Sequence, residues 1–175
     1  MNLNRFLVFL FILITPSICD SQIIDHFSGT TISNKKVEIP LIQKDKFSLL
    51  FFAISPKSQK DLESWLDPIY QKYIAKTGIM DDAFDVNVFF VPLIKSTNTS
   101  LIELVKRKFR ENTQEDFKSH ILFLDTPSEK IISDLRLTDQ NIPYIFLLNK
   151  EGKILFRSSG AYSDEKFDQI DEMIE

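Results

Sequence analysis

The chain has 175 residues, 43% of them hydrophobic, and a formal net charge of −4. That length and composition suit one domain with a full core and are too short for two comfortable ones. The acidic balance argues against general nucleic-acid binding, which needs a basic surface to release counterions from phosphates.

The first segment, MNLNRFLVFLFILITPSICDSQ, carries Arg5, then an apolar run from Phe6 to Ile14, then Pro16 and small polar residues. This is the order of a secretory signal peptide. The run is short of the roughly 20 residues that cross a bilayer, so no integral membrane span is expected after cleavage. Residues 1–21 are read as a signal peptide cut between Ser17 and Gln22. The expected destination is a periplasm or the outside of the cell, by the secretory route. The minor alternative is a lipoprotein anchored through Cys19, although Pro16-Ser17-Ile18 is a poor preceding context. Cys19 is the single cysteine of the chain. Once cleavage removes it, no disulfide, thiolate metal site or thiol exchange is available.

Residues 22–35 read as an N-terminal lead-in and 36–175 as the main domain. Thr30 to Ile39 has β-branched residues around Asn34 and predicts a small hairpin. Phe47 to Ile54 is a continuous apolar run, which suits a central strand covered on both faces. From Ser58 onward, Leu62, Trp65, Leu66, Ile69, Tyr70, Tyr73 and Ile74 make the stripe of a helix lying on a sheet. Pro68 should kink that helix and Gly78 end it. Val86 to Val91 is a second buried strand closed by Pro92. A helix from Leu101 to Phe109 has Leu101, Leu104, Val105 and Phe109 on one face. His120 to Leu124 is a short strand, and Thr126-Pro127-Ser128-Glu129 predicts a capping box opening a helix to about Leu135. Tyr144 to Asn149, a turn at Lys150-Glu151-Gly152, and Lys153 to Ser158 predict an antiparallel hairpin. Ser163 then caps a terminal helix whose first turn carries Asp164 and Glu165. The order implies a three-layer α/β domain, with a central mixed sheet, helices on both faces, and a C-terminal antiparallel hairpin plus helix.

Ser55-Pro56-Lys57-Ser58 joins the first long strand to the first helix. Capping explains every residue in it: Ser55 at the N-cap, Pro56 at N1, Ser58 on the first-turn amides. The functional alternative is an anion or a peptide carbonyl held at the helix N-terminus, beside Lys57. A serine nucleophile would need a base, and His26 and His120 fall in no recognised setting for one. They give no metal-ligand pattern either. Lys106-Arg107-Lys108 with Arg110 is a basic helix face partly neutralised by Glu103 and Glu111; its sharper reading is a dock for an acidic partner or phospholipid headgroups. Met80-Asp81-Asp82 with Asp85 lacks the spacing of a calcium loop. Asn98-Thr99-Ser100 matches a glycosylation acceptor.

The element order resembles the thioredoxin superfamily. Asn141-Ile142-Pro143 followed by the Tyr144 to Arg157 hairpin looks like its Pro-strand-turn-strand segment, and the resemblance implies a cis Ile142-Pro143 bond lying beside the Ser55 to Ser58 turn. Within the superfamily the chain is most similar to exported thioredoxin-like proteins related to the mitochondrial ATP synthase assembly factors. The matching residues are Trp65-x-x-Pro68, Val91-Pro92, the hairpin, and Ser159-Gly160-Ala161-Tyr162. It departs from the superfamily at the C-x-x-C dithiol, where Ser55 and Ser58 stand.

The expectation is therefore a redox-inactive, non-enzymatic binding or assembly-assisting module with a protein or peptide partner and no cofactor. By resemblance its groove is formed by Ser55, Pro56, Lys57 and Ser58 against Ile142 and Pro143, with Trp65 as support. A non-thiol enzyme or a small anion binder at the same helix N-terminus is the alternative.

Overall fold

The computed structural model describes residues 23–40, 46–79, 81 and 86–174. The expected signal peptide with Cys19 lies outside the described residues, as do Met80, Asp82 and Asp85 of the acidic loop.

The expected N-terminal hairpin is β1 (Phe27–Thr31) paired antiparallel with β2 (Lys36–Ile39). Asn34 turns it with φ 63°, a left-handed value that Asn tolerates better than most side chains. Two apolar runs become β3 (Phe47–Ala53) and β4 (Val86–Pro92), paired in parallel from Phe47–Val86 to Ala53–Pro92. Between them lie α1 (Pro56–Glu63) and α2 (Leu66–Ile69), and after β4 comes α3 (Thr99–Asn112). Then follow β5 (Leu122–Leu124), α4 (Ser128–Asp134), β6 (Tyr144–Leu148), β7 (Ile154–Ser159) and α5 (Asp164–Ile174).

Strands β4–β3–β6–β7 form one sheet and β2–β1–β5 a second. Among the described residues they meet at a parallel bridge between Phe90 and Ile121. β3 runs antiparallel to β6, and β6 to β7, as expected of the closing hairpin. Alternation along each strand sends its apolar residues to two separate cores. Leu50, Phe52, Phe89, Val91, Tyr144 and Phe146 pack with α4 and the β1–β2 hairpin. Leu49, Phe51, Val88, Phe90, Ile145 and Leu147 pack with α1, α2 and α5. A sheet covered on both faces explains why β3 and β6 have no polar stripe. This is the three-layer thioredoxin-like arrangement.

Four local expectations are corrected. The helix after Ser55 is not a single kinked rod: it breaks at Ser64–Trp65, restarts as α2, and closes through a π-helical turn, Tyr70–Ile74. Pro68 has no N–H for the Ser64 carbonyl four positions earlier, so the ladder cannot pass that point unbroken. The Ser64 and Trp65 amides instead bond three positions back, to Asp61 and Leu62. Termination comes at Ile74 rather than Gly78, with Lys76 in the left-handed position at φ 51°. Thr126 caps nothing: Pro127 is the N-cap of α4, and the Ser128 hydroxyl donates to the Ile94 carbonyl, 3.0 Å away, tying the helix start to the loop after β4. Finally, the cis peptide bond among the described residues is Ile39–Pro40, and Ile142–Pro143 is trans.

Candidate functional site

Ser55 and Ser58 form a closed local network. Ser55 has extended φ −128°, and its Oγ accepts from the Ser58 amide at 3.2 Å. The Ser58 Oγ accepts from the amides of Ile54 and Ser55, each at 2.9 Å, and donates to the Ser55 carbonyl at 2.9 Å. One hydroxyl donor and two lone pairs are all that serine has, so Ser58 is saturated. Its side chain is fully buried. The turn is thus a capping box in which Ser58 plays the part usually given to Glu or Gln. Pro56 has no amide to offer an anion, and the Ser58 amide is already used. Lys57 is exposed at the corner.

Pairing of Phe52 with Tyr144 puts the Ile54–Ser55 exit of β3 and the Ile142–Pro143 entry of β6 at the same end of the sheet. Ile142 packs against the first core and Pro143 is buried. The Pro143 carbonyl accepts from the Gly160 amide at 2.9 Å. It thereby ties the entry of β6 to the segment that leads into α5. Trp65, also fully buried, reaches the same segment, with Nε1 donating to the Gly160 carbonyl at 3.1 Å and its ring meeting Tyr162 edge-on at 5.3 Å. Tyr162 donates to Asp164, and burial first, then that bond and the charges of Asp164 and Asp168, push its phenol up to about 12.

The concave surface lies on the other side of the turn. A groove of about 840 Å³ runs between α1–α2 and α3 over the end of β4. Ser55 and Pro56 stand on its lip, whereas Lys57, Ser58, Ile142 and Pro143 are not among its lining residues. Leu62, Leu66 and Phe90 form its floor, and Leu101, Val105 and Phe109 its α3 wall. The α3 wall exists because α3 buries no residue: Phe109 and Lys106 lean on Phe123 of β5, and Leu101 and Leu104 stay 46% and 37% exposed. The apolar stripe of α3 was legible in the sequence. That it faces a groove instead of the sheet was not.

The histidines stand apart from both features. His26 is exposed, 3.9 Å from Glu38. His120 is held by Nδ1 to the Val88 carbonyl at 3.0 Å, and burial lowers its pKa despite that bond, with Lys35 adding to the effect. On the basic face, Lys106 pairs with Glu103 and Arg107 with Glu111. Asn98 caps α3, its Oδ1 accepting from the Ser100 and Leu101 amides. Asp81 accepts from the Gly78 amide.

Among solved structures, the chain is similar to the thioredoxin domain of a thiol-disulfide oxidoreductase from Bacteroides vulgatus. That match has 15% identity and a TM-score of 0.61, over 89% of this chain and 97% of that one. It is also similar to the exposed lipoprotein thioredoxin Etrx1 of Streptococcus pneumoniae, at 17% identity and TM-score 0.59, over 85% and 99% of the two chains. A third is BsSco, of the Sco family of cytochrome c oxidase assembly proteins, at 14% identity and TM-score 0.57, over 87% and 91%. At these identities the likeness is one of fold. No curated protein matches in sequence. The family model described as ATP10 protein matches residues 20–175, nearly the whole chain and all of the described fold, so the chain belongs to the ATP10 family of ATP synthase assembly factors, on a thioredoxin-like frame.

Proposed function

We propose that the protein is an exported, redox-inactive assembly-assisting module that acts by holding a partner polypeptide. One observation carries the reading: at the dithiol position the two side chains are serines committed to capping, Ser58 with every hydrogen-bonding site in use. Thiol exchange proceeds by thiolate attack on a disulfide, and neither hydroxyl can stand in for a thiolate. The frame beside the turn nevertheless keeps a groove with an apolar floor of Leu62, Leu66 and Phe90, a surface that suits the apolar side chains of a polypeptide segment. Membership of an assembly-factor family agrees with a protein partner. Export rests on the n-region, apolar run and cleavage zone of the first 21 residues.

Thiol titration and insulin reduction by the secreted mature protein test the redox half of this reading; no titratable thiol and no turnover above background are expected. Affinity capture from the exported compartment, followed by mass spectrometry, tests the binding half. Sustained insulin reduction, or capture of no polypeptide at all, overturns the proposal.

A further inference from the structure

The groove has walls of opposite charge. Of the charged residues that line it, Lys95 in the loop after β4 donates to Gln140 at 3.0 Å; the other three are Glu63 and Asp67, four positions apart on the α1–α2 side, and Lys108 on the α3 side. Among the described residues none of these three makes an ion pair, whereas Lys106 and Arg107, their neighbours on α3, are paired along the helix. Two carboxylates on one bank and an ammonium on the other, with an apolar floor between, favour an occupant that is itself charged oppositely on its two flanks.

Backbone chemistry narrows the occupant further. At the floor, the Phe90 amide is bonded to the His120 carbonyl at 2.7 Å and the Leu93 amide to the Ala53 carbonyl at 2.8 Å. These amides are not available to an added strand. A helix satisfies its own backbone and needs only an apolar face, so it suits such a floor. The α3 wall runs from Leu101 to Asn112, about 16 Å at the helical rise, which matches roughly three turns of a docked helix. An anionic amphiphile would satisfy Lys108 but would meet Glu63 and Asp67 with like charge.

Building on the polypeptide-holding reading above, we propose that this groove takes an amphipathic helix of a partner protein, with basic residues on the flank toward Glu63 and Asp67 and acidic residues on the flank toward Lys108. Leu62, Leu66, Phe90, Leu101, Val105 and Phe109 supply the surface for its apolar face.

The test uses synthetic helical peptides about four turns long with one leucine face, added to the full mature chain and followed by fluorescence anisotropy. One carries Lys on one flank and Glu on the other; a second has the same composition with Lys and Glu mixed on both flanks; a third has Glu on both. The segregated peptide is expected to bind about tenfold more tightly than the mixed one. Glu63→Lys with Asp67→Lys, both at exposed positions, makes both walls basic and should transfer that preference to the all-Glu peptide. Val105→Asp should abolish binding of all three while leaving the melting transition cooperative.

Equal affinity for segregated and mixed peptides overturns the proposal, as does failure of the wall variant to change the order. Laurate or anionic vesicles that bind where the peptides do not would assign the groove to a lipid. A dimer in sedimentation that Val105→Asp dissociates would assign it to a second copy. Either result also overturns the proposal. If a captured partner polypeptide is retained in full by Val105→Asp, the groove assignment fails while the assembly reading stands; if no polypeptide is captured by any form, the functional reading itself has failed.

Discussion

The indole N–H of Trp65 donates to the carbonyl of Gly160, 3.1 Å away across a gap of 95 positions. This bond locks the break between α1 and α2 to the loop that opens α5, and the Ser64 hydroxyl reinforces it by accepting from the Tyr162 amide at 2.9 Å. The Gly160 amide in turn holds the Pro143 carbonyl. Helix break, hairpin entry and last helix are thereby joined at one point.

Trp65→Phe keeps most of the buried ring but orphans the Gly160 carbonyl. The expected loss is about 1 to 3 kcal/mol of unfolding free energy. Trp65→Ala adds a cavity and should cost about 3 to 5 kcal/mol. Denaturant titration reads both, and a Phe variant as stable as the wild type would show that the bond carries no net stability.

Ser58→Ala removes a hydroxyl that serves two amides and one carbonyl in a fully buried place, whereas Ser55→Ala removes only the half-buried N-cap acceptor. The Ser55 change should cost about 0.5 to 2 kcal/mol, and the Ser58 change more. Thermal melts of the two variants rank them; the reverse order would mean that water replaces the Ser58 hydroxyl.

The two hydroxyl oxygens are 3.4 Å apart. Ser55→Cys with Ser58→Cys should therefore close an intramolecular disulfide in mild oxidant, because the two side chains already point at each other across the first turn of α1. Mass spectrometry would show the loss of two hydrogens, and insulin reduction should appear in the variant alone. A double variant that keeps two free thiols in oxidant would contradict the geometry.

His120 links stability to acid. Burial disfavours the imidazolium in the folded state, so its folded pKa lies below that of the unfolded chain. The unfolded state then binds more protons, and stability rises with pH across the interval between the two values. The contribution is complete above about pH 6.5, the unfolded value, and is lost as pH falls from there toward the folded pKa. His120→Gln should flatten this slope in denaturant melts run at a series of acidic pH values. An unchanged slope would place the proton uptake elsewhere.

Gly29 sits in β1 where an added Cβ would lie 2.5 Å from the Phe123 carbonyl oxygen of β5. Gly29→Ala must push β1 and β5 apart inside the second sheet. Gly160 has φ 87° but open surroundings, with only the tip of Lys166 nearby at 3.6 Å, so its cost is backbone strain alone. The Gly29 change should be the more destabilising of the two in equilibrium unfolding, and the opposite ranking would show that β5 yields easily.

Most element types were legible in the sequence, because hydrophobic periodicity is a local property of the chain. The continuous apolar run of Phe47 to Ile54 suited a strand covered on both faces, and the Lys150-Glu151-Gly152 turn between apolar segments pointed to a hairpin; both formed. The capping role of Ser55 and Ser58 was equally legible, since a box of this kind needs only residues three apart. Tertiary structure decided what depends on partners far away in the chain. Where the helix after Ser55 breaks is set jointly by the missing Pro68 donor and by the long-range hold of Gly160 and Tyr162 on Trp65 and Ser64. Thr126 lost its capping role because Ser128 is drawn to Ile94, in a loop that no local pattern places beside it. Ile142 and Pro143 were expected to wall a groove; the Pro143 carbonyl is held by the Gly160 amide, and the groove between α1–α2 and α3 is lined by neither residue. An apolar stripe records that a helix has a face to cover; only packing against the rest of the fold determines whether the fold covers it.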